Sequence, residues 1–240
     1  LKDGSIHILI GTHALIEENV VFSALGLVIT DEQHRFGVKQ RQALESKGKS
    51  PHVLIMTATP IPRTMALSVY GDLDVSFIKG MPPGRHPVKT YVVGSHMLQR
   101  IFRFMKKEME SGHQAYVVCP LVEQSEKQDL AAAVSVYENL RDHVFPQFGV
   151  GLVHGRMKNA EKEQVMEDFR KGKFKLLVAT SVIEVGVNVP DATVMFVYGA
   201  DRFGLSQLHQ LRGRVGRGKE QAYCVLYTDN QNETTQLRMK

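Results

Sequence analysis

Cysteine is scarce: only Cys119 and Cys224 occur, each inside an apolar, strand-like run. That excludes a disulfide-stapled fold and fits a reduced, intracellular protein with two buried thiols. Long hydrophobic runs are missing altogether. No apolar stretch approaches the ~18 residues a membrane-spanning helix requires. The opening segment LKDGSIHILIG lacks the basic-then-apolar layout of a secretory signal, so the expected compartment is the cytoplasm and no membrane partner is expected. A Walker A loop is also missing. Gly48-Lys49-Ser50 looks like the tail of G-x-x-x-x-G-K-[ST], but Ala43 stands where the first glycine belongs. The segment follows a helical pattern and Pro51 comes next, whereas a P-loop follows a strand and opens a helix. It reads as a helix end.

The 240 residues are 43% hydrophobic and 23% charged, an ordinary globular balance for one large domain or two smaller ones. A net charge of +5 favours a polyanionic partner such as nucleic acid and says nothing about fold. Short apolar runs alternate with longer helical patterns throughout. The expected strands are Ile6–Ile10, Leu25–Thr30, His52–Met56, Leu73–Ile78, Val88–Val93, Ala115–Cys119, Val150–Val153, Lys175–Thr180, Thr193–Tyr198 and Ala222–Leu226. Most are apolar throughout, as strands covered on both faces should be. A helix over Met97–Ser111 has Leu98, Ile101, Phe102, Met105 and Met109 on one stripe and Gly112 as its stop. A second, Ala160–Arg170, is opened by Asn159 and closed before Gly172. This alternation predicts an α/β fold of parallel sheets with helices on both sides.

Three prolines and two glycines in Lys79–Pro87, KGMPPGRHP, set a boundary. It separates a first lobe, 1–87 with its linker, from a second, 88–240. About six strands make the second lobe look complete. The first shows about four and begins abruptly in a strand, so it is expected to be incomplete. Gly94–Met97, GSHM, matches an expression-vector scar. It reads either as a natural turn, the favoured reading, or as a junction between two separately made pieces.

Five strand ends and one arginine-rich segment carry the chemistry. Leu25–His34, LGLVITDEQH, runs a buried strand into Asp31 and Glu32. One carboxylate there can hold Mg²⁺ while its neighbour orients and deprotonates water; the alternative is an acidic turn. In His52–Pro60, HVLIMTATP, the hydroxyls of Thr57 and Thr59 either bond the DEQH segment or cap a turn before Pro60. Gln207–Arg217, QLHQLRGRVGR, crowds Arg212, Arg214 and Arg217 around Gly213 and Gly216. Arginines at that density suit a surface that receives phosphate, including the arginine-finger role, unless they form a basic solvated turn. In Leu176–Pro190, Thr180 and Ser181 end a strand whose hydroxyls and amides can open toward a phosphate, and Gly186 permits close backbone approach. Val153–Arg156, VHGR, ends another with His154, Gly155 and Arg156; Thr12 and His13 follow the first strand. Alone, such a histidine is more often structural than functional. With Arg35 and Arg63 these groups could track a phosphate backbone.

DEQH, TATP, ATS…GVNVP and QLHQLRGRVGR, in that order, resemble motifs II, III, V and VI of superfamily-two helicases. Within them GTHALI, DEQHRFGVKQR, TATPIPRT, IEVGVNVPDATVM and ADRFGLSQLHQLRGRVGRG resemble the RecG family of branched-DNA helicases. The transcription-repair coupling factors share HRFG, TATPIPRT and QLRGRVGR but usually read DEEH and GIDIP. Asn188, where many relatives carry aspartate, departs from the pattern and removes any charged role there. The resemblance implies two RecA-like lobes with motifs Ib, II and III in 1–87 and IV, V and VI in 88–240. It implies ATP and Mg²⁺ as cofactors, with Asp31 holding the metal and Glu32 activating water. It further implies that His34, Thr57, Thr59, Gly186 and Gln210 bind nucleotide or relay its state, and that Arg214 and Arg217 face the phosphates. The DNA contacts become Thr12, His13, Arg63, His154, Gly155, Arg156, Thr180 and Ser181. Asp31 and Arg217 are expected to face a common cleft. The implied protein is a monomeric, nucleoid-associated bacterial translocase that remodels forks and Holliday junctions, with single-strand-binding protein as a further partner. It would be longer than this chain, which lacks the Walker A loop and is expected to be inactive alone. The alternatives are a transcription-repair translocase acting with RNA polymerase and a catalytically inert nucleic-acid-binding module.

Overall fold

The computed structural model describes residues 1–32, 37–57, 74–78, 80–81, 84–120, 126–180, 189–230 and 232–239. The chain divides into two compact units, Leu1–Val75 and Ser76–Lys240.

In the first unit the β-branched run Leu27–Thr30 (β1) pairs in parallel with His52–Ile55 (β2), with Thr30 opposite Ile55. The helix Val38–Glu45 (α1) connects them, as a parallel pair requires. It begins where the Gly37 amide donates to the Gln40 side chain at 2.9 Å, satisfying one of the helix's unpaired first-turn donors. Lys47, just past its end, donates through Nζ to the carbonyls of Glu17 and Val20 at 2.7 and 2.8 Å. Gly48 packs so closely that a Cβ there would stand 2.8 Å from the Leu25 carbonyl oxygen. That close approach explains the glycine of GKS without any phosphate.

The second unit holds a six-stranded, wholly parallel sheet. Its strands are Lys89–Val93 (β3), Gln114–Cys119 (β4), Val150–Val153 (β5), Leu176–Thr180 (β6), Ala192–Val197 (β7) and Tyr223–Tyr227 (β8), in spatial order β3-β8-β7-β4-β6-β5. Helices Leu98–Glu110 (α2) and Glu126–Asn139 (α3), the latter running into a π-helical turn at Leu140–Val144, cover one face. Phe102, Met105, Met109, Ala133 and Leu140 pack there on Val117, Val178, Phe196 and Val225. Asn159–Arg170 (α4) and Leu205–Arg212 (α5) cover the other, with Met166, Phe169, Leu208 and Leu211 against Tyr116, Val118, Leu177 and Met195. Successive β4 residues thus serve opposite cores, and every residue of β4, β6 and β7 is buried. At about 1.5–3 kcal/mol per large side chain removed from water, these two cores dominate the unit's stability. Helix Glu233–Met239 (α6) follows β8.

Several expectations need correction. Ile6–Ile10 forms no strand pairing among the described residues, and Ile8 and Ile10 are 80% and 91% exposed. An apolar run becomes a strand only where a ladder partner takes its amides. The described part of Leu73–Ile78 likewise has no strand pairing among the described residues, and Ile78 is fully solvated. Lys158, not Asn159, stands at the N-cap of α4, where the Glu161 side chain accepts its amide at 2.9 Å. Gly94–Met97 is a turn into α2, tied to the sheet by the Ser95 amide donating to Asp229 at 3.0 Å.

Candidate functional site

In the first unit β1 delivers two carboxylates to its carboxyl end. Asp31 is exposed, and its Oδ1 accepts the Glu32 amide at 2.9 Å. Glu32 has φ of 49°, a left-handed conformation uncommon for a side-chain-bearing residue. Because β2 runs parallel beside β1, Thr57 emerges next to the pair, and its Oγ1 donates to Glu32 Oε2 at 3.5 Å. The segments bearing motifs II and III therefore touch. Among the described residues no three His, Cys, Asp or Glu side chains cluster as a metal site. An adjacent carboxylate pair nonetheless suits Mg²⁺, which takes one or two carboxylates and fills its other positions with water and substrate phosphate. Thr12 and His13, both exposed, open a short 3-10 turn, His13–Ile16, elsewhere in this unit. His34, Thr59, Arg35 and Arg63 lie outside the described residues, as do Ser181 and Gly186.

In the second unit the carboxyl ends of β5 and β6 make a second constellation. Val153 pairs with Ala179, so the next residues, His154 and Thr180, stand side by side at the sheet's carboxyl edge. His154 Nδ1 and Thr180 Oγ1 are both buried, and neither has a hydrogen-bond partner among the described residues. Buried polar atoms without partners cost about 1–3 kcal/mol each and call for an explanation in an otherwise satisfied core. Around them lie Gly155 and Arg156, both exposed, and Lys162 on α4, whose Nζ donates to the Gly155 carbonyl at 2.8 Å. Burial first, then the cations Lys162 and Arg156, hold the His154 imidazole below its usual 6.5. Lys162 was not singled out in the sequence. Its signal was a lysine eight residues beyond His154, in the first turn of the following helix.

The arginine segment forms α5 and the turn behind it. Leu208 and Leu211 anchor the helix in the core, and the Gly204 amide donates to Gln207 Oε1 at 2.8 Å at its start. The three arginines then diverge. Arg212 turns back on its own helix, donating to His209 Nδ1 at 3.0 Å. Arg217 donates through Nε to the Gly213 carbonyl at 3.3 Å, leaving its terminal nitrogens for other work. Arg214 and Arg217 both lie near enough to β4 to oppose the rise of the Tyr116 hydroxyl, which burial pushes up to about 12. Gly216, at φ of 71°, packs where a Cβ would meet Ala222 and Val88 at 3.1 Å, so the backbone turns tightly between the arginines. Gln210 sits half-buried on the same helix.

Comparison with known proteins agrees with this geometry. The helicase conserved C-terminal domain matches residues 95–219, and the DEAD/DEAH box helicase family matches residues 1–67. The ATP-dependent DNA helicase RecG of Bacillus subtilis is 56% identical over 240 residues, which are 100% of this chain and 35% of that protein. A structure of RecG bound to a three-way DNA junction superposes with a TM-score of 0.75 at 48% identity, covering 100% of this chain and 31% of the other. Saccharomyces cerevisiae Dbp5, bound to RNA and ADP BeF3, shares the fold at a TM-score of 0.64 and 12% identity, over 94% of this chain and 59% of its own. The chain thus spans about a third of the RecG proteins it matches. With two parallel α/β units, motif-bearing strand ends and these matches together, the chain belongs to the superfamily-two helicases, as a RecG-like member with RecA-like architecture.

Proposed function

We propose that this chain is motor machinery of an ATP-dependent DNA translocase acting on branched DNA, stalled forks and Holliday junctions in recombination and repair. Residues 1–87 supply the C-terminal part of the first RecA-like lobe and 88–240 the second. The observation that carries the reading is the pair of buried polar atoms, on His154 and Thr180, that have no hydrogen-bond partner among the described residues, beside Arg156 and Lys162. A DNA phosphate accepts from the Thr180 hydroxyl and from the cations, and a protonated His154 donates to the same anion. RecG relatives and the RecG–junction structure support DNA as that anion.

In this reading MgATP, when bound, supplies the free energy for lobe movement. Asp31 would hold the metal, and Glu32, beside Thr57, would take a proton from the attacking water. Arg214 and Arg217 would offer their guanidinium groups to phosphate. No P-loop occurs in these 240 residues, so the chain alone should not hydrolyse ATP. DNA-stimulated turnover by the purified chain would contradict that.

The reading is tested in the longer protein that contains this sequence. Arg156→Ala should raise the DNA concentration needed for half-maximal ATPase stimulation several-fold, leave turnover at saturating DNA near normal, and flatten the salt dependence of binding. A variant that instead loses turnover with unchanged DNA affinity would remove Arg156 from the DNA site.

A further inference from the structure

The covered and uncovered faces of the second unit leave one charged surface without a role. On α2, Arg100, Arg103 and Lys107 recur at helical spacing on the exposed side, a row roughly 10 Å long at ~1.5 Å rise per residue. The same helix reaches the sheet edge through Phe104, whose ring meets Tyr223 of β8 edge-on at 4.9 Å. Tyr223 pairs with Lys89 of β3, and Val225 with Tyr91. Val225 belongs to the α2-side core, so Lys89 and Tyr91 lie on the sheet face that α2 covers, at its open edge. Tyr91 is 50% exposed there and Lys89 is exposed.

Four cations and one solvent-facing aromatic ring are therefore exposed on α2 and on the sheet edge beside it. None of the four cations forms an ion pair among the described residues. The carboxylates of α2 are engaged elsewhere: Glu108 accepts from Thr193 and bonds His113, each at 3.0 Å, and Glu110 pairs with Lys106. A single lysine is enough to discourage edge-to-edge pairing of an open strand; three more aligned on the helix beside it exceed that need. The opposite edge strand, β5, has no comparable exposure, its residues being buried or half-buried.

We infer that the α2–β3 edge is a second nucleic-acid surface, one that binds single-stranded DNA: the α2 cations track the phosphates and Tyr91 stacks on a base. The chemistry is that of other sequence-tolerant single-strand binders, which combine a basic track with exposed aromatic faces. It is separate from the His154–Thr180 constellation. That site lies at the carboxyl ends of β6 and β5, four and five strands away from β3 in the sheet order. It presents buried polar atoms, where the α2–β3 edge presents exposed cations. The inference does not depend on duplex binding at the ends of β5 and β6.

The test uses the 240-residue chain with a fluorescent oligo-dT and a duplex as probes, over a salt series. Exchanging Arg100, Arg103 and Lys107 together for glutamine should weaken oligo-dT binding at least tenfold. It should also lower the salt slope by about two, near 0.7 for each single-strand phosphate no longer neutralised. Tyr91→Ala should weaken oligo-dT binding several-fold with the salt slope unchanged, because stacking releases no counterions. Both variants change exposed side chains, so their thermal midpoints should stay within a few degrees of the parent's. Arg156→Ala should affect duplex binding and leave the glutamine-sensitive part of oligo-dT binding intact, which separates this surface from the strand-end DNA site. Oligo-dT affinity and slope unchanged in the glutamine variant would overturn the inference. So would the absence of salt-sensitive oligo-dT binding by the unaltered chain, or a variant that loses affinity only for an acidic peptide.

Discussion

Two sheets of the same chain, built from equally apolar strands, end in opposite environments. In β4, β6 and β7 every residue is buried. In β1 Leu27 and Ile29 are each 54% exposed, and in β2 Leu54 is 47% exposed. Both hydrophobic core clusters lie in the second unit, whereas Val28 is the one buried apolar residue of the first among those described. The difference is in neighbours rather than in composition. β4 has a strand on each side and helices on both faces, while β1 and β2 pair only with each other among the described residues. Apolarity gives a strand the capacity to be buried on two faces; burial itself needs elements that supply those faces.

The contrast between the units is tested first at the chemistry, where the effect is largest. If Asp31 of the first unit and Arg217 of the second each serve ATP hydrolysis, Arg217→Ala in the longer protein should lower turnover by roughly 10³–10⁵, and Asp31→Asn should do similar damage. DNA affinity should remain in both. Lysine at position 217 should rescue poorly, since it keeps the charge and loses the planar fork. Steady-state ATPase at saturating DNA reads this directly. Normal hydrolysis with poor DNA binding in Arg217→Ala would move that arginine to the DNA site.

Stability gives the next test. Phe196 is fully buried, with Phe102, Tyr198 and Tyr227 as ring neighbours. Phe196→Ala should cost about 3–5 kcal/mol, whereas Ile29→Ala, on the open face of β1, should stay within about 0.5 kcal/mol of the parent. Urea unfolding followed by circular dichroism separates them. Comparable losses from both would mean that β1 is covered in solution.

The smallest expected effect is one of pH. His154 has a folded pKa below its ordinary 6.5, so the unfolded chain binds the extra proton more readily. Its contribution to stability is complete above that ordinary value and is lost as pH falls through the lowered folded value. Bound phosphate favours the protonated ring, so DNA should bind somewhat more tightly as pH drops from 8 toward 6. His154→Gln should flatten both profiles. A pH-independent DNA affinity in the parent would detach His154 from the anion.

Much of this was legible because short strands and chemical motifs coincide. The second unit's six strands appear within one or two residues of where their apolar runs stand, and Tyr116 and Val118 alternate with Val117 and Cys119 between the cores as a pleat demands. Ile6–Ile10 misled because composition cannot reveal whether a ladder partner exists. The buried atoms of His154 and Thr180, without partners among the described residues, are also out of the sequence's reach. Sequence names their residues, but only the β5–β6 register sets them side by side. Likewise QLHQLRGRVGR announces three arginines, whereas the structure alone separates Arg212, folded back on His209, from Arg217.

Thr180→Val is the most direct test of the strand-end DNA site. The change is nearly isosteric and removes a buried hydroxyl that has no partner among the described residues. If the hydroxyl serves a phosphate, the 240-residue chain should unfold at the same or a higher temperature while its affinity for duplex DNA falls about tenfold, as loss of a hydrogen bond to a charged group implies. Unchanged DNA affinity together with lowered stability would show that Thr180 is a structural residue, and would take the DNA site away from the ends of β5 and β6.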